Sequence, residues 1–285
     1  MTVRITLALL FIVPAAMAYP WPSTRDRWIL GAAVAAVIVI FAWWRGRFLT
    51  TTLGRRIAML LRRNGGGEYE SPEYTTVLVR VDAPNPTELP LRLIAGYLDR
   101  YGIRCDKVRV TNRDVDGQRT TWVGLTLGAV DNLTALQARS SRIPLHDTAE
   151  VAARRLADHL REAGWTASIV DSAGAPAPSP AKETWRGVRD DAGYVAAYDV
   201  KVDERLAETL AEIRSLSSHD TWAAIEFTGA ASKPAVSVVC ALRTGERPAT
   251  AAPIPALTPL TGRHRAALTA LNPLSKQRLH ALTGT

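Results

Sequence analysis

The chain has 285 residues, 47% hydrophobic and 22% charged, with a net charge of +8. That is enough for one large or two small domains with a core, while 19 Gly, 17 Pro and 2 Cys exclude collagen-like, low-complexity and disulfide-scaffold classes. The charge is concentrated: residues 1–67 hold nine Arg against one acid, Asp26, whereas residues 68–285 balance 26 basic against 26 acidic side chains. A neutral body lacks the distributed cations that phosphate-backbone binding needs, so nucleic acid is not an expected partner.

In chain order, the first elements are two apolar runs. Ile5–Tyr19 and Trp28–Trp44 carry no charge over 15 and 17 residues. At about 1.5 Å per residue the second approaches the roughly 30 Å hydrocarbon thickness. Trp28, Trp43 and Trp44 stand at its ends, as interfacial aromatics do. Pro20 and Pro22 oppose a continuous helix through the connector. The pattern predicts a transmembrane hairpin over residues 1–44, with helices at about 5–19 and 28–44. Arg4, the first run and Ala16-Met17-Ala18 also fit a cleaved signal peptide. Retention and cleavage stay open, and both put the body on the same side. Arg45, Arg47, Arg55, Arg56, Arg62 and Arg63 follow Trp44, against Arg25 and Arg27 in the connector, which predicts a cytoplasmic C-terminal part.

Residues 45–67 predict a basic amphipathic helix and hinge. Phe48, Leu49, Leu53, Ile57, Leu60 and Leu61 recur at helical spacing among those arginines, and Asn64 with Gly65–Gly67 stops the helix. Such a stripe fits either an anionic leaflet or another protein. The candidate membrane-interface or partner-binding residues are therefore Trp28, Trp43, Trp44, Arg45, Arg47, Arg55, Arg56, Arg62 and Arg63.

Residues 68–243 predict an α+β (mixed α/β) cytoplasmic domain. Thr75–Asp82 reads as a strand and Glu88–Tyr101 as a helix with Leu91, Ile94, Leu98 and Tyr101 inward, stopped by Gly102. Arg104–Asn112 and Thr120–Gly128 read as strands around an Asp116-Gly117 turn, with Cys105, Val108 and Val110 alternating only partly in register. Asp147 and Glu150 fit a capping pair for a helix to Ala163, with Val151, Leu156, Leu160 and Ala163 inward, followed by a strand at Trp165–Asp171. Residues 173–182 form a Pro/Ala-rich linker. Tyr194–Val202 is a strand, Asp203 caps a helix bearing Leu206, Leu210, Ile213 and Leu216, and Thr221–Thr228 and Ala235–Leu242 are strands. A β-α-β-β order thus occurs on both sides of the linker, which permits a duplicated unit. Residues 244–285 predict a Pro/Ala-rich tail that drapes over a partner or stays mobile, with short helices at His264–Leu271 and Leu274–Leu282.

Chemistry-bearing motifs are sparse. Neither a P-loop, a dinucleotide fingerprint, a nucleophile elbow nor a paired-cysteine metal motif is present. His146, His159, His219, His264 and His280 are isolated, and Cys105 and Cys240 read as buried thiols, a disulfide between them being neither required nor opposed. Asp114-Val115-Asp116 matches the D-x-D of some glycosyltransferases, but Asn112–Gly117 is also a turn sequence. Asp190-Asp191 before Gly193 reads as a turn too. A membrane-anchored nucleotide-sugar-dependent transferase is the alternative function this leaves, and a membrane-tethered regulator of a soluble partner is a third.

The combined order carries a resemblance. After two apolar segments and an Arg-rich stretch come Leu93-Ile94-Ala95-Gly96-Tyr97-Leu98 through Val108, TWVGLTL from Thr121, AARRLADHLREAGW from Ala152 and ETWRGV from Glu183. This resembles the EccE family of the mycobacterial type VII (ESX) secretion membrane complex, most closely the version from the third ESX system, and weakens after Thr244. The resemblance implies a non-enzymatic inner-membrane subunit that assembles with EccB, EccC and EccD around the EccC ATPase and helps export WXG100-type and PE/PPE substrates. It implies no cofactor, no metal and no catalytic residues.

Overall fold

The computed structural model describes residues 43–44, 47–48, 73–82, 89–140, 143–174, 181–216 and 219–279. The chain divides into two compact units, Met1–Gly65 and Gly66–Thr285, at the glycine run. In the first, β1 (Trp43–Trp44) pairs antiparallel with β2 (Arg47–Phe48), Trp43 opposite Phe48 and Trp44 opposite Arg47. These four residues are extended, where the apolar and amphipathic patterns predicted helix. The rest of both apolar runs and of the basic stretch lies outside the described residues. No helix among the described residues is long and apolar enough to cross a membrane.

The second unit is a mixed α/β domain built on a largely antiparallel sheet. Its elements are β3 (Tyr74–Asp82), α1 (Leu91–Ala95), a 3₁₀ turn (Gly96–Leu98), β4 (Asp99–Arg100), β5 (Ile103–Val115), β6 (Gln118–Gly128), a 3₁₀ turn (Val130–Asn132), α2 (Leu133–Gln137), α3 (Leu145–Glu162) and β7 (Thr166–Val170). They continue with β8 (Lys182–Thr184), β9 (Gly187–Asp190), β10 (Gly193–Val200), α4 (Leu206–Ser215), β11 (Asp220–Ala230), β12 (Lys233–Thr244), β13 (Leu257–Pro259) and α5 (His264–Leu271). The strand order is β7-β3-β6-β5-β11-β12-β10-β9-β8, with β13 on β10 and β4 on β5. The strands β3, β5 and β6 and the strands β10, β11 and β12 follow one pattern: the first pairs with the third, the third with the second, and the two second strands meet antiparallel. Arg113 of β5 fastens that seam. It pairs with Asp220 of β11 at 3.0 Å and lies 5.1 Å from the Trp222 ring centroid.

Both faces of the sheet are covered, which is why its strands read as nearly continuous apolar runs. Alternate residues serve opposite sides: Val77, Val79 and Val81, with Ala223, Ile225 and Phe227, join the core under α1, α3 and α4. Leu78, Trp122, Trp222 and Ala224 join the opposite core. A bulge between Cys105 and Lys107 explains the imperfect alternation along β5, because it returns Cys105 and Val108 to one core. The Asp116-Gly117 turn has φ of 48° and 80° between paired Val115 and Gln118, the two left-handed residues of a two-residue hairpin.

Several local expectations change. The helix predicted to reach Tyr101 ends much earlier, because Tyr101 and Gly102 (φ 58° and 70°) form a second tight turn that reverses the chain from β4 into β5. The face α3 buries is mostly alanine, Ala149, Ala153 and Ala157, with Leu156 and Leu160, while Val151 and Ala163 are exposed. The Asp147/Glu150 capping pair does not form; Pro144 precedes the helix without a side-chain cap, and Glu150 instead accepts from Arg154 at 2.9 Å. Asp203 stands one turn before α4, its carboxylate accepting from the Arg205 amide at 2.9 Å rather than capping the helix. Lys182, expected in the linker, opens β8.

The largest correction concerns the segment after Thr244. Over its described residues it neither drapes elsewhere nor lacks order: β13 adds to the sheet, α5 matches the predicted His264–Leu271, and residues 272–279 continue without a helix where Leu274–Leu282 was expected. Leu260, Ala267, Leu268, Ala270, Leu271 and Leu279 are buried against the second sheet face. Buried His264 accepts the Ala197 amide at 3.1 Å through Nδ1, pinning the start of α5 to β10, and burial pulls its pKa down to about 4.

Two buried basic side chains hold this segment to the sheet. Lys107 donates to the Ser275 carbonyl at 2.9 Å and to that of Gln277. Arg109 donates to the carbonyls of Ala270 and Gln277 and to Glu226, whose second oxygen accepts the Leu279 amide at 2.8 Å. Burial lowers the Lys107 pKa to about 7 from its ordinary 10.5. Between those values the unfolded chain holds a proton that the folded chain has released, so the lysine's contribution to stability rises with pH, by at most about 1.4 kcal/mol per pH unit. Denaturant melts of wild type and Lys107→Met at pH 7 and 8.5 should show the wild type gaining on the variant as pH rises. A constant difference would refute the assignment.

Candidate interaction site

Of the residues assigned to an interface from sequence, Trp43, Trp44 and Arg47 lie in β1 and β2. Trp28, Arg45, Arg55, Arg56, Arg62 and Arg63 lie outside the described residues. The D-x-D residues have structural uses. Asp114 receives a two-point pair from Arg119 at 2.9 and 2.8 Å, and Asp116 occupies the left-handed turn. Among the described residues no group of three or more His, Cys, Asp or Glu is placed to hold a metal ion. Cys105 and Cys240 are free and buried, and burial raises both thiol pKa values, that of Cys105 to about 12.

The domain's described cleft lies between α3, the β4–β5 turn and the end of α2. It encloses about 220 Å³. Its floor comes from Tyr97, Ile103 and Cys105, and its walls include Val151, Ala152 and Tyr101. Three arginines, Arg100, Arg139 and Arg155, line it with one acid, Asp147.

The lining comes from two stretches of sequence, 97–105 and 139–155, which the fold brings together. Tyr97 ends the chain segment that crosses the helical face, so its ring is buried and its hydroxyl meets His159 Nδ1 of α3 at 2.6 Å. Burial, reinforced by Tyr101, pushes the Tyr97 pKa up to about 12, so the phenol stays protonated at neutral pH. Tyr101 lies on the other side of the same imidazole, its hydroxyl 3.4 Å from His159 Nε2 and its ring stacked on it at 28°. The Arg155 guanidinium sits 4.5 Å from the Tyr101 centroid, and that of Arg100 lies 5.2 and 5.4 Å from the Tyr97 and Tyr101 centroids. Cations over electron-rich ring faces add about 0.5–1 kcal/mol each at exposed sites.

His159 therefore links two tyrosines, where sequence suggested an isolated imidazole. Tyr101 is turned outward by its left-handed backbone, where a helical reading had placed it inward. The signal missed in the sequence is Tyr101-Gly102 followed directly by a strand, a two-residue turn pattern with an aromatic in place of the usual Asn or Asp.

The arrangement is a small aromatic hollow with a basic rim, beside a phenol–imidazole pair. The sequence model for EccE, described as a type VII ESX secretion system translocon, matches residues 115–200, from the end of β5 to the end of β10. Full-length similarity extends further. The ESX-3 secretion system protein EccE3 of Mycolicibacterium smegmatis (strain ATCC 700084 / mc(2)155) is 58% identical over 280 residues, covering 98% of this chain and 90% of the relative. EccE3 of Mycobacterium tuberculosis (strain ATCC 25618 / H37Rv) is 51% identical over 289 residues, covering 98% and 87%. The chain belongs to the EccE family.

Proposed function

We propose that this chain is a non-enzymatic structural subunit of an inner-membrane ESX secretion complex. Residues 1–44 anchor it, the arginines of residues 45–67 hold it at the cytoplasmic leaflet, and the sheet domain is presented to EccB, EccC and EccD beside the secretion ATPase. The observation that carries this reading is the near-complete similarity to ESX-3 components. Three others support it. The entire net positive charge sits beside the apolar runs. The buried charges of Lys107, Arg109 and Glu226 are engaged in holding its C-terminal segment. The D-x-D acids on which a transferase would rely are a salt-bridge partner and a turn residue.

Purification of the tagged full chain from native membranes in mild detergent tests the proposal. The expected result is recovery in a multi-protein complex with the other ESX core components. A clean monomer at every detergent concentration, or a protease-accessible domain on the outer face of intact cells, would overturn it.

A further inference from the structure

We infer that the cleft between α3 and the β4–β5 turn is a docking site for an acidic segment of a neighbouring protein subunit, which seats one apolar side chain among Tyr97, Tyr101 and Val151. The inference deepens the subunit reading and rests on it. Size argues first. At about 220 Å³ the cleft is smaller than the roughly 300–1,000 Å³ of drug-sized ligand sites, and it suits a single anchoring side chain. Its lining is the kind that concentrates binding energy between proteins, with aromatics and arginine around a partly desolvated hollow.

Exposure argues second. Tyr101 and Val151 are each 46% exposed at the cleft, and neighbouring Ile143 is 52% exposed, so an apolar lip faces outward. Tyr101 keeps that position with φ of 58°, a left-handed conformation that is strained for a bulky residue, and it contacts His159, Arg100 and Arg155 there.

Charge decides the occupant. Arg119, Arg154, Arg161, Arg205 and Arg278 each pair with a carboxylate. Others, such as Arg189 over the Tyr194 ring, do not, and three of that kind gather at the cleft beside a single acid, Asp147: Arg100 and Arg155 lie over tyrosine rings, and Arg139 donates to the Ala135 carbonyl at 2.7 Å. None of the three has a carboxylate partner among the described residues. In a body whose basic and acidic residues balance, this is a local cationic rim with its donors still available to planar carboxylates, the geometry that guanidinium matches in pairs. An acidic segment with one aromatic or aliphatic anchor satisfies both the rim and the hollow.

The test is a photocross-linking amino acid at Val151 in the full chain in native membranes, with a second at exposed Val202 as a remote control. The cross-linked peptide is read by mass spectrometry. The expected product joins Val151 to a net-negative segment of one protein subunit. Its yield should fall at least tenfold in Arg100→Glu/Arg155→Glu, while Val202 adducts and membrane integration persist. Exposed Arg139→Glu, the milder variant, should lower the same yield several-fold even if the double variant folds poorly. Adducts to lipid or nucleotide only, a neutral or basic peptide, or a yield indifferent to all three arginines would overturn the inference. If the chain stays in its complex and Val151 yields no protein adduct, the docking site alone fails. If neither position yields one and the chain is monomeric, the subunit reading fails with it.

Discussion

Ending the chain after Pro259 should leave the sheet domain unable to fold. The missing segment supplies Leu260, Leu268, Leu271 and Leu279 to the second core, and each buried leucine contributes about 1.5–3 kcal/mol. Together that is on the order of the whole 5–15 kcal/mol by which a domain is stable. The loss goes beyond apolar area. Lys107 and Arg109 would lose the carbonyls of Ala270, Ser275 and Gln277, so the polar contacts that fix the segment go together with the apolar ones, and an apolar sheet face is opened to water. The truncated full-membrane chain should be aggregated or rapidly proteolysed, with no cooperative thermal transition. A truncated chain that melts within a few degrees of the intact one would show that residues 260–279 merely cover the sheet.

The largest effect expected of a single substitution is at Glu226. Its carboxylate is 0% exposed, accepts hydrogen bonds from Arg109 Nε and Nη2 at N–O distances of 3.0 and 2.5 Å, and accepts the Leu279 amide. Glu226→Ala strands a buried guanidinium, which costs about 3–5 kcal/mol. For a domain of this size, at about 2–4 °C per kcal/mol, the melting temperature should drop by roughly 6–20 °C. Proteolysis should begin within residues 270–279. Arg109→Met/Glu226→Leu removes both charges together and should recover part of the loss, since the penalty comes from the unpaired ion more than from the missing bond. A single variant as stable as the wild type would mean that Arg109 reaches solvent or another anion.

Much of the fold is legible in the residues themselves. Thr75–Asp82, Thr120–Gly128 and Thr221–Thr228 are runs of β-branched and apolar residues that match β3, β6 and β11 closely. Asp116-Gly117 is readable as a hairpin because both positions need left-handed backbone that short polar residues and glycine supply. The helix at His264–Leu271 is likewise local. Tyr101 reads as a helical position because its apolar spacing continues that of Leu91, Ile94 and Leu98, and helical periodicity does not show that Tyr101 and Gly102 reverse the chain. Val151 and Ala163 read as inward for a related reason, since alanines at 149, 153 and 157 carry too little hydrophobic signal to reveal the face that α3 buries.

The sequence by itself determined the family, the placement of all excess charge beside the apolar runs, and the α+β alternation of the body, because identity, composition and short-range periodicity are local properties of the chain. Only the tertiary structure decided that the two strand triplets merge into one sheet, that the Ala- and Pro-rich end is part of the core, and that Tyr97, Tyr101, His159 and three arginines form one cleft. Those outcomes depend on contacts such as Lys107 with Ser275, 168 residues apart, whose energy appears only when the chain has closed on itself.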